Sequence, residues 1–249
     1  MEELVRTSLG QAVGDDAVET FDYNLVNFES DYFTPPSEPS ISLLDDLRYK
    51  YLKRAVDLLG SLFLICVFFI PGLLIAAAIM LTSRGPVFYR EERLGHGGKP
   101  FKIWKFRSMH RNAHQKKHVK SAQQGGIVLE WRMCKERCDP RITRIGGFLR
   151  RWSLDELPQL LNVLLGEMSL VGPRPIIQSE TSLYRELLPY YMAAVPGLSG
   201  AWQVSGRSQV GYDDRARLDA SYVSKWSLRT DVVILLRTVP AVLTRIGAY

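Results

Sequence analysis

Asp155 and Glu156 stand side by side in Ser153-Leu-Asp-Glu-Leu-Pro-Gln159, and Arg141, Arg144, Arg150 and Arg151 lie just upstream. Adjacent carboxylates among guanidinium groups form a place where phosphate, divalent cation and nucleophile can meet. An aspartate can attack phosphorus and form an acyl-phosphate. The same residues also have a purely structural reading. Ser153 and Glu156 fit a Ser-x-x-Glu capping box, and acids in a first turn suit the helix dipole. Leu157, Leu160, Leu161 and Leu164 recur with helical period, and Gly166 can end the helix. The residues alone leave both readings open.

Further cations could serve the same chemistry. Arg174 is fixed between Pro173 and Pro175, and Arg207 follows Gly206 in Trp202-Gln-Val-Ser-Gly-Arg207. Lys102, Lys105 and Arg107 lie on Pro100–Arg107, where Phe101, Ile103 and Phe106 nearly alternate with polar positions such as Lys102, a strand pattern. With Gly85-Pro-Val-Phe-Tyr-Arg90 before it and Gly95, Gly97 and Gly98 between, an antiparallel pair is expected. These groups can neutralise phosphate oxygens, or equally face solvent or lipid headgroups. No P-loop or dinucleotide fingerprint is present. His110, His114 and His118 recur every fourth residue, but no carboxylate joins them and Lys116-Lys117 oppose a cation, so 108–140 is expected to be a loop.

What must position these side chains is an unusual anchor. Leu58–Leu81 is 24 residues without a charge, enough to cross a bilayer as a helix. Pro71-Gly72 sits near its middle, where proline removes a donor and a bend is expected. Both flanks are rich in Lys and Arg: Arg48, Lys50, Lys53 and Arg54 before the run, Arg84, Arg90 and Arg93 after it. A single crossing should leave one flank poorer. The expectation is therefore a re-entrant helix-break-helix that enters and leaves on the cytoplasmic face. Asp57 is costly near hydrocarbon, and Arg54 is its expected partner. The C-terminal segment is too interrupted for a second crossing and suits amphipathic helices at the interface, with Trp202 and Trp226 at headgroup level.

Charge divides the chain. Residues 1–46 hold eleven acids and one base, a balance of −10, which leaves +16 for the rest. This acidic segment, with Pro35, Pro36 and Pro39, reads as a flexible tail, and it opens without a signal-peptide pattern. The basic remainder suits phosphorylated substrates or anionic lipid; a nucleic-acid binder would explain only the charge, and no recognised module appears. Cys66, Cys134 and Cys138 form neither a disulfide framework nor a zinc pattern and read as reduced thiols.

Lys53-Arg-x-x-Asp57, the proline-interrupted apolar run, Gly85-Pro-Val-Phe-Tyr-Arg90, Lys105-Phe-Arg-Ser-Met109, Ser153-Leu-Asp-Glu-Leu-Pro-Gln159, Ser169-Leu-Val-Gly-Pro-Arg-Pro175 and Pro196-Gly-Leu-Ser-Gly200 come in one order. Together they resemble the bacterial sugar transferases, the monotopic polyprenyl-phosphate phosphoglycosyl transferases, over about residues 48–249. The resemblance implies transfer of a sugar 1-phosphate from a UDP-sugar to a polyprenyl phosphate such as undecaprenyl phosphate, with release of UMP. It implies Asp155 as nucleophile, Glu156 as ligand of a required Mg²⁺, and Lys102 or Lys105, Arg150, Arg174 and Arg207 as phosphate-holding cations, with Arg107 a further candidate from its place on the strand. The segment from Trp202 onward resembles the subgroup that starts exopolysaccharide repeats with galactose or glucose 1-phosphate. Many members carry a four-span domain first, which residues 1–46 do not resemble, and relatives often have Ser where Ile70 precedes Pro71.

The expected fold is α+β and mostly helical: an acidic tail over 1–46, a membrane-embedded re-entrant helix over 47–84, and a cytoplasmic catalytic domain over 85–249 with a small antiparallel β element and interfacial helices. The implied location is the bacterial inner membrane, with membrane lipids as partners and a homodimer allowed. Another UDP-sugar donor, or a non-enzymatic basic scaffold on the membrane, are the alternative readings.

Overall fold

The computed structural model describes residues 47–110, 141–206 and 211–244. It opens on one long helix, α1 (Leu47–Thr82), followed by an antiparallel hairpin of β1 (Phe88–Leu94) and β2 (Pro100–Phe106). Then come α2 (Arg144–Arg151), a 3-10 segment over Leu154–Gln159, α3 (Leu160–Leu165) and β3 (Ser169–Val171). Short helices α4 (Thr181–Tyr184) and α5 (Leu188–Ala193) lead to β4 (Gly197–Ser199), α6 (Ala201–Val204), α7 (Tyr212–Ser224) and α8 (Leu228–Leu243). The architecture is α+β and mainly helical, as the patterning predicts.

Helix α1 runs through Pro71 without interruption, so the expected break in the helix is absent. A proline inside a long apolar helix forfeits a single backbone bond while the turns on either side remain paired, which bends rather than ends it. The helix is apolar and mostly uncovered: Phe63, Phe69, Ile70, Leu74 and Leu81 are all more than half exposed. Such a surface needs a lipid environment. By length and composition the helix can cross or enter a membrane.

Polar side chains at the start of α1 fasten it to the body. Asp57 accepts from Ser169 Oγ at 2.9 Å and the Leu170 N–H at 2.8 Å. Arg54, expected to pair with Asp57, instead donates to the carbonyls of Val163 (2.6 Å) and Leu164 (2.7 Å). Those carbonyls lie in the last turn of α3, where the helical ladder runs out and only the Gly166 N–H follows, at 3.0 Å from the Val163 carbonyl. Lys53 reaches Asp231 at 2.7 Å. At the other end, Ile79 packs with Phe106 and Leu149, and Arg107 binds the Ser83 carbonyl at 2.7 Å.

In the hairpin Glu91 faces Ile103 and Glu92 faces Lys102, and the connection turns through Gly97 at φ 66° and Gly98 at φ 73°. The other edge of β2 is closed by a side chain. Asn162, fully buried, accepts from the Trp104 N–H at 3.0 Å and donates to the Lys102 carbonyl at 2.9 Å, standing in for a neighbouring strand. A second β pair went unpredicted: β3 and β4 run parallel, with Ser169 opposite Gly197 and Val171 opposite Ser199. Three-residue strands leave no alternation to read. Glycine permits the pairing, because a Cβ on Gly197 would lie 2.0 Å from the Gly172 nitrogen.

Candidate active site

The Asp155–Glu156 pair sits in the 3-10 segment between α2 and α3, directly against β2. The capping box does not form. Ser153 adopts left-handed φ 55° and makes no side-chain cap, and the segment is a 3-10 turn before the short α3 rather than one helix. Pro158 suits such a turn, and Gly166 closes α3 at φ 85° as expected. Relieved of capping, Glu156 turns to the cations. Lys105 Nζ lies 3.0 Å and Arg174 Nη1 3.8 Å from its Oε1.

Asp155 is held differently. It is 8% exposed, and among the described residues no other side chain donates to its carboxylate. Burial raises its pKa and the neighbouring Glu156 raises it further, while Lys105 and Arg150 pull the other way. One carboxylate is therefore pinned by ion pairs and the other is buried, uncommitted and more basic than usual.

Beside Glu156 opens a small, solvent-open hollow, walled in part by Arg93, Lys105, Gln159, Arg174 and Gln203. Three cations and two amides around one carboxylate suit a ligand carrying more than one negative charge. Lys105 reaches this wall because it shares a strand face with Ile103, while Phe106 faces α1. Arg174 reaches it from the rigid turn between its prolines.

Of the cations singled out in the sequence, Lys105, Arg150 and Arg174 are brought to the carboxylates. Arg150 also donates to Ser108 Oγ at 3.0 Å. Lys102 and Arg107 are not brought there. Lys102 is exposed on the opposite strand face. Arg107 is spent on the end of α1, binding the Ser83 carbonyl and hydroxyl at 2.7 Å each and the Arg84 carbonyl at 3.1 Å. Arg207, His114, His118, Cys134 and Cys138 lie outside the described residues. Trp202, expected at headgroup level, is buried, with the Arg174 and Arg215 guanidiniums 5.3 and 5.1 Å from its ring centre. Two cations on its π face draw it inward. Sequence reasoning missed Arg93, Gln159 and Gln203 as walls of the hollow; the signal available for Arg93 was its place beside Gly95 at the hairpin.

Among the described residues no three His, Cys, Asp or Glu side chains converge on a metal position. Two carboxylates from one turn do fit a hard cation that takes its remaining ligands from water and substrate phosphates, and a buried, charge-crowded Asp155 is what such a cation would relieve.

A polar, cation-walled cleft on a small α+β body fastened to an uncovered apolar helix defines a membrane-associated enzyme fold. Residues 48–245 match the family model described as bacterial sugar transferase, and the chain belongs to that family. It is 46% identical over 201 residues to the UDP-galactose-lipid carrier transferase of Erwinia amylovora, covering 80% of this chain and 42% of that protein. It is 42% identical over 198 residues to the exopolysaccharide production protein ExoY of Rhizobium meliloti, covering 79% of this chain and 88% of that one. With the UDP-glucose:undecaprenyl-phosphate glucose-1-phosphate transferase of Caulobacter vibrioides it shares 41% identity over 223 residues, 86% of this chain and 76% of the relative.

Proposed function

We propose that the chain transfers a hexose 1-phosphate, galactose or glucose, from a UDP-sugar to undecaprenyl phosphate as the first membrane step of exopolysaccharide synthesis. The relatives named for these donors and this acceptor support the substrates. The observation that carries the chemistry is the buried, uncommitted Asp155 between Lys105 and Arg150.

An oxygen of Asp155 attacks the sugar-bearing phosphorus of the donor, the bond to the bridging oxygen breaks, and UMP leaves with that oxygen. An oxygen of undecaprenyl phosphate then attacks the same phosphorus and expels the aspartate, giving the lipid diphosphosugar. Burial makes the Asp155 carboxylate a stronger base, while Lys105 and Arg150 limit the cost of its charge. Lys105 and Arg174 supply the cationic wall against which the diphosphate lies, and phosphoryl transfer asks chiefly for such positioning and charge neutralisation. Mg²⁺, held by Glu156 with Asp155 beside it, would neutralise the diphosphate oxygens and the leaving UMP.

Helix α1 sets the height of the site. Both of its ends fasten to one body, through Lys53 and Asp57 at one end and Ile79 and Ser83 at the other, which supports an anchor whose two ends stay on the cytoplasmic side. A straight crossing would carry them about 30 Å apart across the hydrocarbon. Cysteine labelling at positions 50 and 84 from outside intact cells tests this; external labelling at a single end overturns it.

The function is tested by UMP release from UDP-galactose and UDP-glucose with undecaprenyl phosphate and Mg²⁺, comparing the parent protein with Asp155→Asn. Loss of turnover together with loss of a labelled phosphosugar adduct is expected. Undiminished turnover in the variant refutes the nucleophile, and no turnover by the parent with any donor refutes the transferase reading.

A further inference from the structure

Three successive carbonyls, those of Pro173, Arg174 and Pro175, each accept from a different element: Gly197 N of β4 at 2.8 Å, Arg215 Nη2 of α7 at 3.5 Å and Arg93 Nη1 of β1 at 3.3 Å. Prolines have no N–H, so the carbonyls are the handles by which this turn is fixed. Arg215 is the unexpected one of the three donors. It is 1% exposed and among the largest fully buried side chains, so it cannot reach a ligand in the cleft. A buried guanidinium persists only with partners. Asp219, one turn along α7 and also 1% exposed, lies 4.0 Å from its Nε, and Glu180 lies 4.0 Å from Nη1.

Asp219 in turn accepts from Tyr184 OH at 2.7 Å and faces the backbone N–H of Arg174. The two peptide groups that flank the Arg174 Cα are thus met by α7, the carbonyl of Arg174 by Arg215 and its N–H by Asp219. Its guanidinium rests near Trp202, which Arg215 also approaches. An apolar filling of this space would avoid the cost of burying two charges. What the ion pair adds is a directional hold on the backbone either side of the Arg174 Cα.

We infer that Arg215 and Asp219 are positioning residues for Arg174, holding its guanidinium over the cleft beside Glu156 so that a substrate phosphate meets it already in place. The inference rests on the reading of Arg174 as a phosphate-binding group in sugar 1-phosphate transfer. Pre-set donors of this kind lower the reorganisation that binding would otherwise require.

The test uses the full-length protein in lipid nanodiscs, with kcat and KM for UDP-hexose measured for the parent, Arg174→Ala, Arg215→Lys, Asp219→Asn and the doubles that combine each α7 change with Arg174→Ala. Misplacing a binding group by an ångström costs up to about a hundredfold, so Arg215→Lys and Asp219→Asn should lower kcat/KM by about ten- to a hundredfold at a temperature well below the Tm of each variant, which is measured separately. In the Arg174→Ala background the same changes should matter by less than about twofold. Additive losses in the doubles, or unchanged kcat/KM in both singles, overturn the inference. Tyr184→Phe, which removes only the hydroxyl that Asp219 accepts, gives the same reading if the charge variants fail to fold. Calorimetric binding of inorganic pyrophosphate needs no turnover: affinity at least about fivefold weaker in the α7 variants is expected, and equal affinity overturns the positioning role. The transferase reading stands or falls separately, on UMP release by the parent.

Discussion

Replacing Asp231 with alanine should loosen the apolar helix from the body that carries the site. Asp231 is 3% exposed and accepts from Lys53 Nζ at 2.7 Å, Tyr222 OH at 2.6 Å and Trp226 Nε1 at 3.1 Å. Asp231→Ala leaves the Lys53 ammonium buried without its carboxylate, and removing one partner of a buried pair costs about 3–5 kcal/mol. Tyr222 keeps the Val171 carbonyl as acceptor at 3.2 Å, but the Trp226 N–H loses this bond, adding about 1 kcal/mol. The sum, about 4–6 kcal/mol, is a large part of an ordinary domain's stability of about 5–15 kcal/mol. Lys53→Met removes the charge instead and leaves Asp231 with two neutral donors, so about 1–3 kcal/mol is expected. The double variant should be more stable than Asp231→Ala alone, because the stranded charge is gone. Denaturant unfolding in mixed micelles, followed by tryptophan fluorescence, measures all three. Equal losses in the two single variants, with the double at their sum, would refute the claim that this pair fastens α1.

Asn162→Ala should cost about 2–4 kcal/mol, since the Trp104 N–H and the Lys102 carbonyl both lose a buried partner, and kcat/KM should fall as β2 and Lys105 loosen; chemical unfolding and UMP release check it. Gly146→Ala should cost at least about 3 kcal/mol, because its Cβ would lie 1.9 Å from the Ser108 carbonyl oxygen, and soluble expression with a thermal scan tests this. The pKa of Asp155 is raised from 3.8, so the folded chain holds that proton more tightly than the unfolded one. The stability this group contributes is full below pH 3.8 and is lost as pH rises through the raised folded pKa. In EDTA-containing buffer Asp155→Asn should therefore raise Tm at pH 7.5 and do so less at pH 4.5, with scanning fluorimetry as the measurement.

Local chemistry was legible in the sequence where a single segment carried it. The hairpin around Gly97 and Gly98, the Gly166 stop and the long apolar helix all rest on propensities a short window can hold. What the sequence did not disclose depended on partners far along the chain. Arg54 and Asp57 are close enough in sequence to pair, yet each meets backbone groups more than 100 residues away that need a partner more. Arg107 and Lys105 are two positions apart with the same charge, and the end of α1 claims one while Glu156 claims the other. Trp202 has the composition of an interfacial anchor, but the buried Arg215 and the part-buried Arg174 guanidiniums outcompete the headgroup region.

The exposed face of α8 adds a constraint on the same site. Val232, Leu236, Val239 and Leu243 follow one stripe of the helix and are each more than half exposed, while Ile234 and Asp231 on the inner side are buried. Such a stripe is costly in water and suits the boundary between headgroups and acyl chains. Asp231 links that helix to Lys53 at the entry of α1, so the apolar helix and the interfacial stripe are held in register by one buried carboxylate. The hold continues through Tyr222 to the Val171 carbonyl, at the end of β3 from which the Gly172-Pro-Arg174 turn departs. Membrane depth and the position of Arg174 are therefore set by one connected set of contacts. Under the proposed transfer, the contacts that set the depth of α1 also set the height at which Arg174 meets a substrate phosphate.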